Sequence, residues 1–122
     1  MENRREEKEV NCNGQEELAE LIISEVCKYF EITKEFMCSN TRKREVVLPR
    51  QLATYFVAEN VQLTLKKMGK ILGNKHHSTV IYSRNVIADR IYVEPIFRRK
   101  VIVIEKAIKK SLFLPESEII KP

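Results

Sequence analysis

Long apolar runs are missing from this sequence: nowhere do 18 apolar residues follow one another, which excludes a membrane-spanning helix of ordinary length. The opening stretch, MENRREEKEV, alternates charges and has no apolar core of the kind a secretory signal needs. A cytoplasmic location is expected. Cysteine is scarce and badly placed for metal: Cys12, Cys27 and Cys38 are far apart, odd in number, and form no C-x-x-C pair, so they are expected to be reduced thiols without a zinc site. No acid, base and nucleophile stand at a recognisable spacing, so the sequence does not read as an enzyme and implies no cofactor.

What remains is a chain of 122 residues with 43% hydrophobic content, room for one compact core. Its net charge of +5 conceals a division. Residues 1–31 carry four basic and nine acidic side chains, a net of −5, whereas residues 32–122 carry 18 basic and 8 acidic, a net of +10. Such asymmetry favours a polyanion against the later part and a protein contact for the start.

Periodicity points to helices throughout. Residues 1–14, rich in charge, are expected to form a flexible arm, residues 15–114 one helical domain and residues 115–122 a polar tail. Leu18, Leu21, Ile22, Val26 and Tyr29 recur at helical spacing, and Thr33 can cap a short turn through Met37. The run from Ser39 to Arg44 reads as a basic loop, after which Pro49 suits the first turn of a helix burying Leu52, Ala53, Phe56, Val57 and Val61.

Thr64 can cap a segment from Leu65 to Leu72 that stops at Gly73, and Val80, Ile81, Ile87, Ala88 and Ile91 mark another helix. Pro95 starts a last one, with Phe97, Val101, Ile104, Ile108 and Leu112 as core or as a dimer seam. Its run Val101–Glu105 could form a strand, but the helical spacing continues beyond it and a partner strand is lacking. The expected fold class is all-α, a compact bundle of five to six helices.

Two of these helices, Leu65–Leu72 and His77–Ile91, separated by a turn at Gly73, fit a helix-turn-helix, whose second helix enters the DNA major groove. At that helix start stand Lys75, His76, His77, Ser78 and Thr79, short or planar groups able to meet bases and phosphates. Adjacent histidines without a third ligand make a poor metal pair.

The octet Gly73-Asn74-Lys75-His76-His77-Ser78-Thr79-Val80 resembles the Gly-Gly-Arg-Asp-His-Thr-Thr-Val signature of the C-terminal DNA-binding domain of the bacterial replication initiator DnaA. Upstream, Leu65–Gly69 is similar to that family's Leu-Pro-Glu-Ile-Gly, Pro49-Arg50-Gln51 to its Pro-Arg-Gln, and Arg42-Lys43-Arg44 to its basic loop. Tyr29 and Ile32–Glu35 resemble its Tyr-x-x-Val-Thr-x-Glu, so the likeness covers residues 26–91.

The resemblance implies a Trp-repressor-like helix-turn-helix that binds double-stranded DNA. It implies Arg42 in a minor groove, Arg50 on a phosphate at a helix start, and His77, Ser78 and Thr79 on bases and backbone in the major groove. Lys43, Arg44, Gln51, Lys66, Lys67, Lys75, His76 and Tyr82 complete the expected DNA surface, with Lys70 and Arg84 beside it.

Three departures qualify it. His76 replaces an aspartate that could accept from a cytosine amino group, which implies a changed target and a helix cap weakened by about 1 kcal/mol. Ala58 replaces a lysine. No GxxxxGK[ST] loop occurs, so the sequence is expected to read DNA without an ATP-driven motor. Transcriptional regulation, or a protein-interaction module that has lost DNA reading, are the alternatives; a homodimer or protein partner through a terminal helix stays open. If the resemblance holds, Arg42→Ala and His77→Ala should each weaken specific binding by about 1–3 kcal/mol, measured on target against scrambled duplex.

Overall fold

A computed structural model describes residues 2–112, with side chains from Gly14 onward. The polar tail expected over residues 115–122 lies outside the described residues, as do nearly all side chains of the charged start expected to be flexible. Six helices follow in order: α1 (Glu2–Phe30), α2 (Lys34–Cys38), α3 (Arg44–Asn60), α4 (Leu65–Ile71), α5 (His77–Val93) and α6 (Pro95–Ser111). The backbone of α1 is helical from Glu2, ahead of Gln15, where the apolar periodicity sets in.

The face of α1 that meets the bundle is Ala19, Ile22, Ile23, Val26 and Cys27, all buried. Leu21 and Tyr29, expected in that stripe, are about half exposed, because at 100° per residue they fall on the flank of this face. The helix ends with Glu31 in the left-handed region (φ 57°), and the Ile32 N–H reaches back to the Cys27 carbonyl at 3.0 Å. Burial in the apolar core pushes the Cys27 thiol up to about 11, a protonated and unreactive group. Thr33 caps α2 as expected, its Oγ1 accepting from the Phe36 N–H at 3.0 Å.

The middle of the bundle is α3, packed against α1, α2, α4 and α5. It begins at Arg44, not at Pro49, because the Lys43 carbonyl already accepts from the N–H groups of Val46 and Val47, each at 3.0 Å. Pro49 therefore sits in the second turn, where its missing N–H removes the bond to the Glu45 carbonyl; Glu45 is exposed, and water can replace the donor. Leu52, Ala53, Phe56, Val57 and Val61 are buried as the spacing indicates, and Phe56 alone contributes about 2–3 kcal/mol of apolar burial.

The helix-turn-helix is α4 and α5. Thr64 Oγ1 accepts from the Lys67 N–H at 3.1 Å and starts α4, which ends with Gly73 at φ 99° and Asn74 at φ 58°. Two glycines permit the turn to close. A Cβ on Gly69 would overlap the carbonyl oxygen of Lys75, and one on Gly73 would overlap that of Cys38, so the turn is pressed both on its own helix and on the end of α2.

Val80, Ser83, Ile87 and Ile91 form the buried stripe of α5; Ile81 and Ala88, expected in it, face solvent, since they lie one position off the row that meets α3. Pro95 is the first residue of α6, and the Arg90 guanidinium lies 3.8 Å over the Phe97 ring at the corner between the helices. Phe97, Val101, Ile104 and Ile108 are buried core, and Val101–Glu105 is helix rather than strand. Glu105 and Lys109, 3.9 Å apart, are buried beside that stripe.

Gly73→Ala should lower stability by at least about 1–2 kcal/mol, the cost of a left-handed residue with a side chain, before any steric overlap with Cys38. Urea titration checks this; a variant as stable as wild type would mean that the turn does not rest on α2.

Candidate nucleic-acid interface

The basic loop, residues 39–43, has no regular structure of its own, so its shape depends on what satisfies its carbonyls. Two cations do so. From α3, Arg50 donates through Nε to the Met37 carbonyl (2.8 Å) and through Nη2 to the carbonyls of Ser39 and Thr41 (both 2.9 Å). From the helix-turn-helix turn, Lys75 Nζ donates to the same Ser39 carbonyl (3.0 Å) and to Asn40 Oδ1 (2.8 Å). Within the loop, Ser39 Oγ donates to the Phe36 carbonyl at 2.6 Å, and Thr41 Oγ1 accepts from the Lys43 N–H at 3.3 Å.

Burial pushes the pKa of Lys75 below its ordinary value, helped by the Arg50 guanidinium nearby; burial also pushes that of Arg50 down, opposed by Cys38. Both cations remain charged at neutral pH, because such groups start from far above it. The clamp leaves Arg42, Lys43 and Arg44 exposed on one side of the turn.

On the other side is the start of α5. His76 occupies the cap position, and its Nδ1 accepts from the Ser78 N–H at 3.1 Å. Replacing the aspartate thus does not leave the cap position without a side-chain acceptor: a neutral imidazole supplies the lone pair that an aspartate oxygen would otherwise supply. Its ring lies 4.1 Å from that of His77, tilted by 33°. His77, Ser78 and Thr79 are exposed, Val80 turns inward, and Tyr82 is 64% exposed one turn on. An open cleft of about 450 Å³ is lined by Lys66, Lys70, Asn74, Lys75, His76 and His77.

The expected residues thus divide. Arg42, Lys43, Arg44, Lys66, His76, His77, Ser78, Thr79 and Tyr82 are exposed. Arg50 and Lys75 are half-buried and turned onto loop carbonyls; Arg50 lies in the second turn of α3 rather than at its start. Lys67 pairs with Glu16 of α1 at 3.1 Å, which turns its ammonium toward α1. Gln51 is half-buried, and Arg84 lies within electrostatic reach of Tyr55 on α3, whose hydroxyl burial pushes up to about 12.

A further polar group of α5 shares this exposed face. Asn85 is exposed seven residues after Ser78 and three after Tyr82, on the same row of α5, and its amide could meet an adenine edge; helical spacing counted from Ser78 finds it. Among the described residues, no three potential metal ligands cluster.

Against known proteins, residues 19–87 match the model of the family described as the bacterial dnaA protein helix-turn-helix. The chromosomal replication initiator protein DnaA of Bacteroides thetaiotaomicron is 35% identical over 90 residues, 74% of this chain and 19% of that protein. Its counterpart in Bacteroides fragilis is 34% identical over 103 residues, 84% of this chain and 22% of its own length. That of Thermoanaerobacter sp. is 36% identical over 103 residues, 84% and 23% respectively. The chain spans about a fifth of the length of these curated relatives.

Arg50→Ala removes three charge-assisted bonds and leaves their carbonyls short of donors. The expected loss is about 3 kcal/mol, read by urea unfolding; a loss below about 1 kcal/mol would mean that the loop holds its shape without the guanidinium.

Proposed function

Since the chain belongs to the bacterial DnaA helix-turn-helix family, we propose that it binds double-stranded DNA with sequence preference and acts in replication initiation or its control. The observation that carries this reading is the juxtaposition around the Ser39 carbonyl. Arg50 and Lys75 converge there, so an exposed arginine loop and an exposed helix start are parts of one fixed surface.

The start of α5 enters the major groove, where His76, His77, Ser78, Thr79 and Tyr82 meet base edges and backbone. Arg42 reaches the adjacent minor groove, whose narrow A·T segments attract arginine. Lys43, Arg44, Lys66 and Lys70 neutralise phosphates, supplying the affinity that does not depend on sequence. Arg50 and Lys75 act at one remove, by holding the loop in register with α5. Replication is the role printed in the names of the relatives, and comes to this chain by that likeness. Transcriptional control through the same surface is the neighbouring reading.

On this reading the protein works in the cytoplasm, beside chromosomal DNA; no helix among the described residues is long and apolar enough to cross a membrane. The exposed Ile96 and Val103 of α6 and Leu21 of α1 offer apolar contacts to a second copy or a protein partner.

Mobility-shift assays with random and selected duplexes at two salt concentrations test the reading. Binding should weaken steeply with salt; no shift of any duplex at low salt would sink the proposal. Lys75→Ala distinguishes the two roles open to that residue. If it holds the loop, its effect should largely vanish in the Arg42→Ala background, a coupling of more than about 0.5 kcal/mol. Additive losses would return Lys75 to a phosphate of its own.

A further inference from the structure

His76 is, with Asn74, Lys75 and Ser78, one of four residues at which the octet departs from the signature it resembles, and the one that replaces an acidic side chain; its ring atoms have fixed roles. A backbone N–H can only donate, so Nδ1, 3.1 Å from the Ser78 nitrogen, must present a lone pair. The proton of the neutral ring is then on Nε2. Ser78 Oγ, 2.8 Å from the same Nδ1, directs its hydroxyl proton toward the ring. The His77 ring lies beside it, centroid to centroid 4.1 Å. Nε2 is thus the one polar atom of this exposed ring left for a ligand, and it can only donate.

We infer that His76 reads DNA as a hydrogen-bond donor, selecting guanine on the strand it contacts and rejecting cytosine. The inference rests on the DNA-binding reading above and names the base edge that reading takes. In the major groove guanine offers only acceptors, O6 and N7, whereas cytosine offers its amino donor, which would oppose Nε2–H with no acceptor between them. Adenine and thymine present one acceptor each beside an amino or a methyl group, and rank between. An aspartate at this position is an acceptor and reverses the order. The substitution is therefore a reversal of hydrogen-bond polarity at one base, with the helix cap retained.

Selection of bound duplexes from a random pool, run with the wild type and with His76→Asp, tests this. Aspartate is itself a favoured cap, so the variant keeps its helix start, and thermal melting confirms that it folds. The wild type should enrich guanine at one position. In His76→Asp that position alone should change to cytosine, the guanine-to-cytosine ratio shifting by on the order of tenfold or more. Identical sites from both proteins, a wild-type preference for cytosine, or a change spread over many positions would each overturn the inference while leaving DNA binding standing. If the wild type enriched no duplex at all, the DNA-binding reading itself would fall, and this inference with it.

Discussion

Everything on the candidate surface depends on how the carbonyls of a short irregular loop are satisfied. Residues 39–43 cannot pair their backbone with one another as a helix would, and Arg42 and Lys43 in this loop, followed by Arg44 at the start of α3, repel one another. Arg50 and Lys75 hold it from two directions, one from the central helix and one from the turn, and both end on the Ser39 carbonyl. Gly73 adds the third constraint, since its lack of a side chain lets the turn approach Cys38. The loop's position relative to α5 is thereby set by the same atoms that position the turn.

Such coupling has a functional consequence. A protein that grips two adjacent grooves gains from both only if the distance between its two contacts is fixed before binding; otherwise the ordering cost falls on the complex. Here Arg50 and Lys75 both donate to the carbonyl of Ser39, and on the proposed reading they supply that preorganisation. Arg42 to Arg44, Lys66 and Lys70 are exposed, and on the same reading they face the polyanion.

Much of the fold was legible in the sequence because its signals are local. Thr33 and Thr64 cap where they stand, Gly73 ends α4, Pro95 opens α6, and the row Phe97, Val101, Ile104 and Ile108 is buried as its spacing indicates. Misplacements such as Leu21 and Ile81 concern helix rotation, which only the neighbouring helices decide. The fixed φ of Pro49 favours a helix start there, but the Lys43 carbonyl and the loop before it set the boundary five residues earlier. The roles of Arg50, Lys75 and Lys67 were not legible, because their partners are 9–13, 35–36 and 51 residues away along the chain, and a cation looks the same in sequence whether it faces a phosphate, a carbonyl or a glutamate. That His76 caps at all is not legible for a different reason: its capacity to do so depends on which ring nitrogen carries the proton, a choice made by the Ser78 N–H.

The most direct test of the central claim is chemical footprinting with dimethyl sulfate on a selected duplex, which reports guanine N7 in the major groove and adenine N3 in the minor groove in one experiment. Wild-type protein should protect both at neighbouring positions, and Arg50→Ala, under conditions where it remains folded, should keep the major-groove protection and lose that of the minor groove. Were folded Arg50→Ala to protect both grooves as the wild type does, or to lose both together, the loop clamp would not be what joins the two contacts.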